Sequence, residues 1–97
     1  MRWTLLLLLA LAAGCGAAAE DFENICNAVE RSGAADMEDG GEKQARIAEW
    51  ISRTIKTGEA RRAFQSLATA SPAARGDLLR LHARRAGYTG PCPIADL

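Results

Sequence analysis

The stretch Asp21-Phe22-Glu23-Asn24-Ile25-Cys26-Asn27-Ala28-Val29, residues 21–29, decides the fold. Phe22, Ile25, Cys26 and Val29 recur at i, i+3, i+4 and i+7. That is the spacing of one face of an α-helix, whereas a half-buried strand would alternate every second residue. Asp21 offers an N-cap acceptor just ahead of the first apolar position, and Gly33 supplies the left-handed residue on which helices commonly close. The first helix is therefore expected to begin at Asp21 and to turn Cys26 toward the core.

Working outward, the same period returns three times. Glu42 to Thr57 carries Ile47, Ile51 and Ile55 in one row, with Ala48 beside them and Trp50 flanking the stripe, which predicts a second helix stopping at Gly58. Thr57 can cap a third, in which Ala60, Ala63, Phe64 and Leu67 face the core as far as Ala70. A glycine costs only about 1 kcal/mol inside a helix, so one bent helix over both segments is the alternative. Ser71-Pro72 is a firmer boundary, an N-cap followed by proline at the first helical position. It opens a fourth helix through Leu78, Leu79, Leu81, Ala83 and Ala86 to Gly87.

Beyond Gly87 the chain reads Tyr88-Thr89-Gly90-Pro91-Cys92-Pro93-Ile94-Ala95-Asp96-Leu97. Prolines on both sides of a cysteine oppose helix and favour extended backbone. This tail is expected to lie back across the first helix so that Cys92 reaches Cys26, with Tyr88 and Ile94 covering the open end. No segment alternates apolar and polar residues with strand formers. The expected fold is all-α, a small bundle of about four short helices with a disulfide-tethered C-terminal tail.

Ahead of the domain, Arg2 and the free amine precede an apolar run from Leu5 to Ala13, and small residues follow. That order is an export signal. Two processing sites are written in it. Ala12-Ala13-Gly14-Cys15 resembles the bacterial lipobox, in which small residues precede a cysteine that is acylated on its sulfur and becomes the mature N-terminus; Ala12 stands where that pattern usually has Leu. Ala17-Ala18-Ala19 before Glu20 offers the Ala-x-Ala site of ordinary signal peptidase. A spanning helix needs about 20 apolar residues, and this run falls well short of an uncleaved anchor. The expected organisation is a signal over residues 1–14, or 1–19 in the alternative, a short tether over 15–20, and a single helical domain over 21–97.

Either cut leaves Cys26 and Cys92 as the only thiols, because lipid occupies Cys15 in one case and cleavage removes it in the other. An oxidising compartment favours a Cys26–Cys92 disulfide. Chain-entropy arguments put so long a loop closure at about 4 kcal/mol, and a domain of roughly 80 residues sits near the edge of stability without a staple. Two separate free thiols are the alternative; neither cysteine has the CxxC neighbour of a redox motif.

Charge is balanced overall but not along the chain. Glu20 to Glu49 carries nine acidic and three basic residues, Trp50 to Leu97 three acidic and eight basic. Attraction between the halves is one explanation. A basic surface for phosphate-rich partners such as lipid headgroups is the other. Arg outnumbers Lys ten to two, a usage read as codon bias, and export disfavours a nucleic-acid partner.

Site chemistry is sparse. The acidic loop Ala34 to Gly41 fails as a calcium loop: with Gly41 as the required glycine, Ile47 falls at the twelfth ligand position, and with Gly40, Ala35 falls first and Arg46 last. His82 is the only histidine. No nucleophile elbow or oxyanion loop accompanies it, and zinc-ligand spacing is missing. The expectation is a non-enzyme without cofactor, metal or identifiable small-molecule substrate. Trp50, at the edge of the isoleucine row, is the candidate partner-binding anchor.

The resemblance to bacterial lipoproteins covers residues 1–15 alone. It implies diacylglycerol and palmitate on Cys15, and a domain held at the envelope membrane facing the periplasm or the exterior. There it would act as a small binding or scaffolding module contacting another envelope protein. The alternative cut at Ala19 implies a soluble periplasmic or secreted helical factor, an inhibitor or effector.

Overall fold

A computed structural model describes residues 16–97 of the chain; the expected signal and Cys15 lie outside the described residues. Helix α1 is helical over 16–26, and Asn27 separates it from the short α2, Ala28–Arg31. A 3-10 turn η1, Ala34–Asp36, leads into α3, Gly40–Thr54, α4, Gly58–Thr69, and α5, Pro72–Arg85. A second 3-10 turn η2, Pro93–Asp96, ends the tail. The described residues are all-α, and the Cys26–Cys92 disulfide ties the tail to the helical core.

The first correction concerns Asp21, which is not an N-cap but sits within α1. Alanine is the best helix former, and Ala18 continues the apolar stripe one turn back from Phe22. Burying Ala18 to 5% exposure extends the helix through the span expected to be a tether. The Asp21 side chain is then itself buried, at 1% exposure. It accepts hydrogen bonds from the backbone N–H of Lys56 at 3.0 Å, the N–H of Thr57 at 2.8 Å and the Thr57 hydroxyl at 2.7 Å. Asp21 thus caps the entrance to another helix.

Thr57 completes that relay, its Oγ1 accepting from the Ala60 N–H at 3.2 Å as the N-cap of α4. Ile55 and Thr57 are extended, so α3 and α4 are two helices and not one bent one. α3 stops at Thr54, three residues before the expected Thr57. Asp39 caps its start, accepting from the Glu42 N–H at 2.9 Å. Ser71-Pro72 opens α5 as expected, with proline in the first turn, although the Ser71 side chain makes no capping bond. At the far end, Gly87 (φ 95°) and Tyr88 donate to the carbonyls of Arg84 and Ala83. This is the paired closure of a Schellman motif, which favours glycine at that left-handed position.

The core gathers Phe22, Ile25 and Cys26 of α1, Ile47 and Ile51 of α3, Ile55 in the following turn, and Leu79 of α5, with alanines from every α-helix but α3. Phe64, Leu67, Tyr88 and Ile94 pack on it half-buried. The tail corrects the second expectation. Its last residues coil into η2 instead of staying extended, because the fixed φ of Pro93 is pre-set for a first helical turn, where its missing N–H is no loss. η2 lies on α5 at Gly76, where a β-carbon would collide with the carbonyl oxygen of Ala95.

Two outcomes follow for stability. Asp21→Ala should cost about 3 kcal/mol, because several donors lose a charged acceptor at once, read as a lower urea midpoint with little change in slope. Reducing the Cys26–Cys92 bond should cost about 4 kcal/mol and leave the tail open to carboxypeptidase; unchanged melting and digestion would sink the staple.

Candidate functional site

Among the elements from α2 onward, α3 packs on α2 and η1, and α4 packs on α5. Between these pairs the bundle stays open as a groove of about 890 Å³. Ile25 of α1 contributes to its lining. One wall is Gln44, Ile47, Ala48 and Ile51 of α3; the other is Phe64 and Leu67 of α4 with Pro72, Ala73 and Leu79 of α5. Ile94 and Leu97 of the tail line it as well. Leu97 is 85% exposed, the large apolar side chain left in solvent among the described residues.

Charged groups stand along this lining, but each has work within the fold. Arg75 donates from Nε to the Leu67 carbonyl at 3.2 Å, tying α5 back to α4. Arg80 is paired with Asp77 at 3.5 Å and with Asp96 of the tail. Among the described residues the lining contains no imidazole, thiol or hydroxyl. What it can do chemically is remove apolar surface from water, at roughly 25 cal/mol per Å² covered. A second, smaller cavity of about 310 Å³ lies between the end of α5 and the Tyr88–Cys92 segment, with Arg80 and Arg84 on its wall.

Of the residues expected to matter, Cys26 and Cys92 are joined, and Cys15 lies outside the described residues. Trp50 is half-buried against the core and does not line the groove. His82 is half-buried on α5. Among the described residues no group of three or more His, Cys, Asp or Glu side chains converges as a metal site would. Asp39 of the acidic loop serves as the α3 cap.

The groove itself went unread in the sequence, because Ile47, Ile51, Phe64 and Leu67 carry the same periodicity whether a wall is closed or open. Ala48 sits beside the isoleucine row yet faces solvent, which the structure alone reveals.

The two charged halves do not neutralise each other through ion pairs spanning the fold. The pairs among the described residues are Arg31–Glu23, Arg53–Glu49, Arg80–Asp77 and Arg80–Asp96. Only Arg53–Glu49 crosses the divide, and it is a single helical turn.

Comparison with protein-family models, with curated proteins and with solved structures finds no match.

One prediction tests the groove wall. Gly76→Ala has no room for its methyl against the Ala95 carbonyl, so η2 should lift from α5. Amide exchange at Ile94 to Leu97 should accelerate about tenfold, equivalent to roughly 1.4 kcal/mol of lost local protection, while α1 and α3 keep theirs.

Proposed function

We propose that the mature chain is a lipid-anchored, exported helical module of the bacterial cell envelope that receives the apolar stripe of a partner protein's helix in the groove between α3, α4 and α5. The open groove is the observation that carries this reading. Over a floor of buried core residues it presents Ala48 of α3, Phe64 and Leu67 of α4 and Pro72 and Ala73 of α5, with Leu97 exposed at the same place, while its charged side chains are already engaged within the fold. An additional helix laid there would complete the bundle, the usual mode of helix-in-groove recognition. Without nucleophile or imidazole in the groove, binding is the activity its chemistry favours.

The anchored form draws support from α1. Cleavage after Ala19 would delete the buried Ala18 and with it the first described turn of α1. Cleavage before Cys15 retains both and leaves the acylated residue next to Gly16. Among the described residues no helix is long and apolar enough to cross a membrane, so attachment in this reading falls to the lipid on Cys15.

The anchor is tested by Cys15→Ala. The expected result is loss of palmitate labelling and of membrane fractionation, with the intact mass of the wild type reporting diacylglycerol and the two-hydrogen loss of the disulfide. A wild-type mass matching cleavage after Ala19 would overturn it. The groove is tested with photo-reactive residues placed at exposed positions in the living cell. Ala48 and Ala73 in the groove should give one discrete crosslinked product that Leu97→Glu diminishes. Gln65, exposed on α4 away from the groove, should not. Equal products at Gln65 would dismiss the groove as the binding surface.

A further inference from the structure

One end of the bundle collects positive charge that no ion pair among the described residues engages. Two contacts define that end. Asp21 of α1 holds the backbone of Lys56 and Thr57 at the start of α4, and Ala19 of α1 lies 4.0 Å from where a β-carbon on Gly87 would stand, at the finish of α5. The beginning of α4 and the end of α5 therefore meet beside the first turns of α1. Lys56, Arg61 and Arg62 come from the α4 side, Arg84 and Arg85 from the α5 side, all five exposed. Glu20 and Glu59 are the exposed carboxylates on the same turns. Among the described residues none of the five cations is in an ion pair.

Ordinary helix electrostatics accounts for only part of this cluster. Arg84 and Arg85 complement the negative end of α5. Lys56, Arg61 and Arg62 do the opposite, adding positive charge around the positive end of α4, where an isolated helix prefers acid. Asp21 and Glu59 already supply acid at that end, yet with Glu20 they make three carboxylates against the five cations, so the end keeps a net positive charge that an external anion would offset. Residue 16, the first described residue of α1, enters from the same end.

We infer that this end of the bundle is a docking face for anionic phospholipid headgroups, with Lys56, Arg61, Arg62, Arg84 and Arg85 as its contacts. The inference rests on the anchored reading for its orientation and deepens it: acyl chains and a polybasic face act together as two signals, the combination that makes peripheral attachment stable. The groove, formed by the latter half of α4 and the first half of α5, then points away from the bilayer.

The chain carries its own reporters for this orientation, since Lys56 and Lys43 are its only lysines. Lys56 belongs to the basic end, and Lys43 lies near the start of α3, the opposite end from Lys56. The purified full-length mature protein is bound to phosphatidylcholine vesicles with and without about one-third phosphatidylglycerol, a content that gives a negative surface potential. Both lysines are then modified with a membrane-impermeant amine reagent and quantified by mass spectrometry.

On anionic vesicles at low salt, Lys56 labelling should slow about tenfold relative to Lys43. The difference should vanish on pure phosphatidylcholine, in high salt as screening grows, and in an Arg84→Gln/Arg85→Gln variant whose melting is unchanged. Equal labelling of the two lysines on anionic vesicles, or the same Lys56 protection on neutral ones, would overturn the inference. The intact mass of the same preparation separates the two claims. A chain without lipid defeats the anchored reading, and a lipidated chain with unprotected Lys56 defeats the docking face alone.

Discussion

A carboxylate inside a helical stripe constrains everything around it. Burying Ala18, Phe22 and Ile25 on one face of α1 carries Asp21 into the protein with them, and a buried carboxylate without donors is among the costliest arrangements a small domain can contain. The donors come from the turn after α3. To present two consecutive N–H groups and a hydroxyl to one side chain, that turn must be extended at Ile55 and Thr57. α3 therefore has to end at Thr54 and α4 has to begin afresh. The division into two helices, which a lone Gly58 leaves undecided, is settled by a residue some thirty-five positions earlier in the chain.

The same helix holds the second long-range tie. Cys26 lies little more than one turn beyond Asp21, at 1% exposure, and is joined to the tail across 66 residues. Much of the remaining core is alanine: Ala18, Ala28, Ala34, Ala60, Ala63, Ala83 and Ala86. Small side chains let backbones approach closely, but each removes little apolar area from water, and area is what drives burial. A core with few large side chains gains proportionally more from covalent closure of its unfolded ensemble. Asp21 secures the α3–α4 turn, Cys26 secures the tail, and α1 is the axis to which both are fixed.

Local signals in the sequence were sufficient for the all-α class, Ile47 and Ile51 of α3, the Ser71-Pro72 boundary and the Thr57 cap, and cysteine counting for the pairing of Cys26 with Cys92. Each of these rests on local spacing or on an exclusion that needs no coordinates. Asp21 was misread because an acid ahead of an apolar period has the same local signature whether it caps its own helix or another. Its true partner is distant in sequence, and no local rule reaches it. The η2 turn was missed for a related reason: Pro91 and Pro93 forbid helix continuation but not helix initiation, and only the close approach permitted by Gly76 gives the turn a surface to rest on. The groove was invisible because the periodicity of an apolar face does not reveal whether a neighbour covers it.

The groove and the basic cluster lie toward opposite ends of the α4–α5 pair because of topology. α4 and α5 are joined by a short connection at Ala70 and Ser71, which puts the start of α4 and the finish of α5 together at one end of the pair. The groove draws on the other end, with Phe64, Leu67, Pro72, Ala73 and Leu79, and twelve residues of helix in α4 correspond to about 18 Å of rise. A domain seated on its basic end, as proposed, would hold the near edge of the trough at Phe64, six residues into α4, about 9 Å from that end. The arrangement restricts the partner as well. In the proposed reading, a helix lying in this groove would belong to a protein whose own apolar stripe is exposed close to the membrane surface.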